Sequence, residues 1–371
     1  MNYLTVEAVS KSYGERTLFE DLTFYINQGD RVAFIAKNGT GKTSLMNIIM
    51  NREEGDAGKV WLHHKINVGY LDQNPQFDPK ATVFESVYNS PNPIMQAIVA
   101  YETCMAQPDD AEAMQTAISG MDRLQAWDYE VKIKQILSQL KVDYLDRPIA
   151  QLSGGQKKRV ALAKVLIDAP DFLILDEPTN HLDLDMIEWL EAYLKQGGQT
   201  IFMVTHDRYF LDSVCTQILE LDQQKIHKYN GSYAYYIEKK AEREASFNAT
   251  TEKAKNLYIK ELDWMRRQPK ARGTKAKARI DKFFEVEKKA KRKVDSDRVH
   301  LDIKMTRLGS KIIEFHKVHK AYGPLQILDG FDYKFSRKDR VGIVGNNGTG
   351  KTTLLNILVG TESVDAGKVI R

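Results

Sequence analysis

"RVAFIAKNGTGKTSLMNI", Arg31 to Ile48, is the stretch on which the fold turns. An apolar run, "RVAFI", enters a glycine-rich turn, "AKNGTGKT" (Ala36 to Thr43), and leaves through a segment with helical periodicity, "TSLMNII". Strand, tight loop and helix in that order are the setting in which G-x-x-x-x-G-K-[ST] binds phosphate. Free backbone N–H groups at the helix start point at anionic oxygens, and a lysine adds a point charge. Lys42 is that lysine, Thr43 brings a hydroxyl suited to Mg²⁺, and Ala36 stands where the motif has its first glycine. Alanine keeps the N–H and gives up only the ease of a positive φ. The candidate nucleotide-binding residues here are Ala36, Lys37, Asn38, Gly39, Thr40, Gly41, Lys42, Thr43 and Ser44.

The stretch occurs twice. "RVGIVGNNGTGKTTLLNI", Arg340 to Ile357, matches it at an offset of 309 with 11 of 18 positions identical. The same offset places Tyr13-Gly14 on Tyr322-Gly323 and "DAGKV" at Asp56–Val60 on Asp365–Val369. The second candidate set is therefore Tyr322, Gly345, Asn346, Asn347, Gly348, Thr349, Gly350, Lys351, Thr352 and Thr353, with Thr352 a second hydroxyl for Mg²⁺. Only 19 residues follow Thr352, whereas the first copy continues for over a hundred past its own loop. The expectation is a chain cut from a longer protein, with one whole module and the opening of another.

Two further stretches carry chemistry. "FLILDEPTN", Phe172 to Asn180, is an apolar strand that ends in two carboxylates. In a parallel sheet such an end faces the ligand crevice, so Asp176 is a candidate Mg²⁺ holder and Glu177 a candidate base for an attacking water. "LSGGQKKRVALAKVL", Leu152 to Leu166, sets Ser153, Gly154, Gly155 and Gln156 before an amphipathic helix, presenting a hydroxyl and free N–H groups at its positive end. Alone, that pattern also fits a plain helix cap.

Tyr13, "AKNGTGKT", Gln73 in "GYLDQNP", "LSGGQ", "LILDEPTNHLD" and His206 in "VTHDR" follow one another in the order of an ATP-binding cassette domain, which this chain resembles over residues 1–230 and again from about 311. The wording "DEPTNHLD" resembles the ABC-F subclass, two cassettes on one chain without a membrane domain, and the linker "WMRRQPKARGTKAKARID" is most similar to Uup-type members. The resemblance implies an α/β, P-loop nucleotide-binding fold with ATP and Mg²⁺ as ligands. It implies that Tyr13, and Tyr322 at the matching position, bind the base, that Gln73 contacts Mg²⁺ and senses the γ-phosphate, and that His206 bridges γ-phosphate and water. It also implies that Ser153–Gln156 close over the ATP held by the other copy, and that Asp183 belongs to the loop crossing between cassettes. The tandem cassettes would pair intramolecularly in the full-length protein. Within these 371 residues neither composite site is complete, so weak hydrolysis is expected of the chain as it stands.

The expected layout is a first cassette over 1–231 with a helical subdomain at 78–150, a helical-hairpin linker over 232–305, and the start of a second cassette over 306–371. Met105, Met114 and Met121 in the subdomain read as core filler. Net charge is +4, yet Glu238 to Lys293 holds 19 Lys or Arg against 9 Asp or Glu. The tip, Arg266, Arg267, Lys270, Arg272, Lys275, Lys277, Arg279 and Lys282, carries eight cations to one acid, flanked by Trp264, Phe283 and Phe284. Charge of one sign at a tip points to a polyanion. The resemblance makes that the ribosome, with its rRNA and tRNA; a Uup-like role on DNA, and a membrane transporter's ATPase subunit, are the alternatives. Two cysteines give no disulfide framework, the opening residues show no basic run followed by an apolar one, and no run reaches the roughly 20 apolar residues of a membrane span, so a cytoplasmic protein without a secretory signal is expected.

Overall fold

The computed structural model describes residues 1–90, 92–106, 111–266, 283–284, 286–287, 311–337 and 339–371. The chain divides into two compact units, Met1–Ser232 with Gly309–Arg371, and Tyr233–Leu308. The first unit opens with β1 (Asn2–Tyr13), β2 (Arg16–Asn27), β3 (Arg31–Ala36), α1 (Lys42–Ile49), β4 (Ala57–Leu62) and β5 (Val68–Leu71). Four helices follow: α2 (Val83–Tyr88), α3 (Pro93–Ala106), α4 (Ala111–Arg123) and α5 (Trp127–Gln139). Then come α6 (Gly154–Ile167), β6 (Phe172–Asp176), α7 (Leu184–Gln196), β7 (Thr200–Val204), α8 (Arg208–Val214), β8 (Gln217–Asp222) and β9 (Lys225–Asn230).

A six-stranded sheet ordered β5-β6-β7-β3-β8-β9 forms the centre, parallel except for the antiparallel edge strand β9. Every residue of β6 and β7 is buried, the mark of strands covered on both faces. An antiparallel sheet, β2-β1-β4, shares the same core: Phe24 lies 5.9 Å from Phe202, which lies 5.8 Å from Phe34. Asp176 pairs with Val204, and Phe34 with that same Val204, so β3, β6 and β7 end along one edge of the sheet. The loops bearing Lys42, Glu177 and His206 all leave from that edge.

Met121 is fully buried in the helical subdomain, as core filler should be. Met105 departs from that expectation: in the last turn of α3 it is 54% exposed, and a single surface thioether costs little in water.

The second copy contributes β10 (Lys311–Tyr322), β11 (Leu325–Ser336), α10 (Lys351–Val359) and β12 (Ala366–Ile370). Its sheet, β11-β10-β12, repeats β2-β1-β4 residue for residue. Thr5↔Trp61, Val6↔Val60, Glu7↔Lys59 and Ser10↔Ala57 recur as Glu314↔Ile370, Phe315↔Val369, His316↔Lys368 and His319↔Ala366. The repeated glycine of "DAGKV" has a steric reason. Gly58 sits at φ +85°, and a Cβ there would lie 2.3 Å from the Ala8 carbonyl oxygen; Gly367 sits at φ +88°, 2.2 Å from that of Lys317. Residues 340–345 differ from their counterpart β3, since among the described residues no strand flanks them and Val344 is 88% exposed.

In the second unit, α9 (Tyr233–Arg266) runs for 34 residues, about 51 Å at 1.5 Å per residue. Phe283 stacks on Tyr258 of that helix at 5.5 Å and is buried, whereas Phe284 is exposed. The basic tip, Arg267, Lys270, Arg272, Lys275, Lys277, Arg279 and Lys282, lies outside the described residues, as do the side chains of Trp264 and Arg266. Among the described residues no helix is long and apolar enough to cross a membrane.

Candidate active site

A cleft of about 740 Å³ opens at the carboxyl edge of the sheet. It is lined by Tyr13, Asn38, Gly39, Gly41, Lys42, Thr43, Ser44, Gln73, Asp176, Glu177 and His206, residues that five separate sequence stretches contribute. Gly39 and Gly41 hold left-handed φ values of +75° and +98°, and Gly41 caps α1 without any side-chain acceptor. The N–H groups of the first helical turn are therefore free to face an anion. Thr40 closes the loop from within, its hydroxyl donating to the Lys37 carbonyl at 2.7 Å.

Ala36 ends β3 without a positive φ, and Gly345, at the matching place in the second copy, has no positive φ either. The alanine therefore costs the loop nothing in backbone conformation. In both copies the loop lysine folds back onto that residue: Lys42 Nζ donates to the Ala36 carbonyl at 3.1 Å, Lys351 Nζ to that of Gly345 at 2.6 Å.

Lys42 Nζ also donates to Asn38 Oδ1 at 3.1 Å and to His206 Nε2 at 2.9 Å. An ammonium has no lone pair, so in this contact Nε2 is the acceptor. Burial lowers the pKa of Lys42, against the pull of Glu177 and Asp176. Glu177 follows β6 at φ +51°, uncommon for a residue with a side chain, and its N–H is held by the Val204 carbonyl at 2.8 Å. Its carboxylate accepts from the His206 N–H at 3.3 Å, and His206 Nε2 lies 3.5 Å from the other oxygen.

Asp176 is 6% exposed, and among the described residues its carboxylate has no hydrogen-bond or ion-pair partner. Burial, then the charges of Glu177 and Asp72, push its pKa up to about 6, with Lys42 and Lys158 pulling the other way. A buried, unpartnered carboxylate beside a threonine hydroxyl and a glutamine fits a divalent cation, whose charge would repay the desolvation.

Ser153, Gly154, Gly155 and Gln156 do not line this cleft. Ser153 caps α6 in a reciprocal capping box: its Oγ accepts from the Gln156 N–H at 3.3 Å, and Gln156 Oε1 accepts from the Ser153 N–H at 2.9 Å. Gly155 packs close enough to His181 that an added Cβ would meet its Cβ at 3.3 Å. From the second loop, Asn347 Nδ2 donates to the His181 carbonyl at 2.8 Å. The second phosphate loop therefore stands beside the segment after Glu177 and the start of α6. Asp183 lies two residues past His181, in the loop that the resemblance has crossing between cassettes. Its carboxylate is buried, caps α7 through the Met186 N–H at 3.2 Å, and pairs with Lys141 at 2.5 Å. The carbonyl of His181, held at φ +68°, meets the second copy through Asn347.

Three further residues in or beside the cleft belong to no motif that would mark them. Arg16 lines the cleft and donates to the Gly39 carbonyl at 2.8 Å, with no counterpart in the second copy, where residue 325 is leucine. Lys11 and Glu53 do have counterparts, Lys320 and Glu362, so aligning the two copies over their full length would have found them.

An ABC transporter family profile matches residues 19–180 and 328–371, and a second ABC transporter profile matches 219–301. The uncharacterized ABC transporter ATP-binding protein YfmR of Bacillus subtilis (strain 168) is 40% identical over all of this chain and 60% of its own length. The energy-dependent translational throttle protein EttA of Mycobacterium tuberculosis (strain CDC 1551 / Oshkosh) is 35% identical over 98% of this chain and 67% of its own. The chain thus spans between 60% and 67% of the length of these relatives. A solved ATP-binding subunit of an ABC transporter aligns with 62% of this chain and 90% of its own at 21% identity and a TM-score of 0.48. On the family match and the EttA relationship together, the chain belongs to the ABC transporter ATP-binding family.

Proposed function

We propose that the protein is an ABC-F-type ATPase that binds Mg²⁺ and ATP at phosphate loops facing an opposing cassette, and acts on the ribosome. The observation that carries this reading is the Asn347–His181 hydrogen bond, which sets the phosphate loop of one copy against the segment that follows Glu177 in the other. The translational part is drawn from the EttA relationship, since that protein is named a translational throttle. A basic linker tip, with eight cations between Arg266 and Lys282, suits an RNA backbone.

In this mechanism the N–H groups after Gly39 and Gly41 hold the phosphates, and Lys42 leaves His206 to meet the negative charge. Thr43, Asp176 and Gln73 would hold Mg²⁺, which when bound would supply positive charge beside the phosphates. Glu177 polarises a water and takes its proton, while the His206 N–H fixes the carboxylate and the ring, freed from Lys42, donates toward the phosphate. Tyr13 stacks on the base. Ser153 to Gln156 supply hydroxyl and N–H donors to the ATP of the second loop.

The test traps the bound state with Glu177→Gln, which keeps the shape and removes the base. ATP-dependent cosedimentation with ribosomes at about 0.15 M salt, where surface charges are screened beyond about 8 Å, is the expected result, undisturbed by branched DNA. Failure to pellet, with salt-sensitive DNA binding instead, would remove the ribosome from the reading.

A further inference from the structure

The two cassette copies share a side-chain cluster that lies outside the cleft and ends in it. Tyr13 donates its hydroxyl to Glu53 Oε1 at 2.6 Å, with Ser44 Oγ at 3.4 Å. Lys11 Nζ lies 2.9 Å from that same Glu53 oxygen, donates to the Glu54 carbonyl at 2.7 Å, and stands 5.4 Å from the centre of the Tyr13 ring. In the second copy, Lys320 Nζ lies 2.8 Å from Glu362 Oε1, 3.3 Å from Asp365 Oδ1 and 5.1 Å from the Tyr322 ring centre. Hydrogen bonds from Lys320 and Tyr322 both hold the Glu362 carboxyl below its usual range; in the first copy the Tyr13 hydroxyl and then Lys11 do so for Glu53.

Neither Lys11 nor Glu53 lines the cleft, yet Tyr13 does and stays 53% exposed. Tyr322 is 48% exposed over a lysine whose side chain is nearly covered. An exposed tyrosine ordinarily samples rotamers, and its ordering would cost a ligand that stacks on it. Here the hydroxyl is anchored at one end and an ammonium sits by the ring, so that cost is met before any ligand arrives. Solvation alone does not account for the repeat. Ser12, Arg52, Glu54 and Gly55 have become Ala321, Thr361, Ser363 and Val364, while the lysine, tyrosine, glutamate and aspartate at 11, 13, 53 and 56 are kept.

We propose that Lys11 and Glu53 are positioning residues that hold the Tyr13 ring as a preset stacking surface for the nucleotide base, and that Lys320 and Glu362 hold Tyr322 in the same way. This rests on the reading of Tyr13 as the base-binding residue.

The experiment titrates the full 371-residue chain, in a Lys351→Ala background that silences the second loop, with Mg²⁺ and either ATP or inorganic tripolyphosphate. Lys11→Met and Glu53→Gln should each raise the Kd for ATP about 3- to 10-fold, the equivalent of one side chain's lost ordering, and leave tripolyphosphate unchanged. Tyr13→Phe keeps the ring and loses the anchor, so it should match Glu53→Gln, and the pair together should be no worse than either alone. Equal weakening of both ligands would overturn the proposal, because the cluster would then act through the phosphate loop or the fold. Unchanged ATP binding in both variants, alongside a loss in Tyr13→Ala, would overturn it and leave the base reading standing. Were Tyr13→Ala to bind ATP and tripolyphosphate as the unmutated protein does, the base reading would fall first and the proposal with it.

Discussion

Asp176→Asn should make the nucleotide-free protein more stable while abolishing its use of Mg²⁺. The carboxylate is 6% exposed, no described group donates to it, and its pKa stands at about 6 rather than 3.8, chiefly through burial and next through Glu177. A raised carboxyl pKa means that the folded state holds the proton more tightly than the unfolded chain does. The ionised group therefore costs stability above pH 6, and that cost fades as pH falls toward 3.8. A tenfold difference in proton affinity is worth about 1.4 kcal/mol, so the full penalty comes to about 3 kcal/mol at pH 7.5 and falls by half near pH 5. Asparagine has nearly the same shape and no charge, so most of this should return as stability. In thermal unfolding without nucleotide, the variant should melt about 5 °C above the unmutated protein at pH 7.5, with a smaller gap at pH 5. An unchanged or lower melting temperature at pH 7.5 would refute the argument, as would a gap that does not shrink with acid. Either result would mean that the carboxylate is solvated or paired in solution, and the case for a cation relieving it would go as well.

Gly58→Ala should destabilise the first cassette by about 2–4 kcal/mol, since the new Cβ would lie 2.3 Å from the Ala8 carbonyl oxygen; Gly14→Ala, also at positive φ but with nothing within 4 Å, should cost about 1 kcal/mol, and similar losses in denaturant melts would remove the close-approach explanation. Asp183→Ala should cost about 1–2 kcal/mol by uncapping α7, whereas Asp183→Asn should cost less, because asparagine caps as well as aspartate does. Equal losses in chemical denaturation would assign the effect to the Lys141 ion pair instead.

How far the sequence could be read depended on whether a feature is local. The first phosphate loop and the carboxylates ending β6 are short-range patterns, and each follows the strand its spacing demanded; the cap before α6 is as local, while the second loop follows no strand among the described residues. Strand order was beyond reach: β6 and β7 separate β5 from β3, an arrangement that crossovers set and periodicity does not record. Side-chain direction was equally hidden. Asp183 belongs to the loop expected to cross between copies, and nothing in the sequence tells that its buried carboxylate turns to a helix N-terminus and Lys141.

The repeat shows where further reading was possible. Eleven identities in eighteen around the loops draw the eye, but identity there follows from phosphate chemistry and says little about the rest of the module. The scattered matches elsewhere carry the independent information. Gly58 and Gly367 recur because two strands approach too closely for a Cβ, and a bare alignment shows that coincidence without its cause. Lys11 and Lys320 recur forty-odd residues before Glu53 and Glu362, a separation no local motif spans, and the pairing of β1 with β4, and of β10 with β12, brings the turn that carries the glutamate beside the lysine. A residue kept in both copies among changed neighbours, with no partner near it in sequence, is thus the kind of position where a tertiary contact should be sought first.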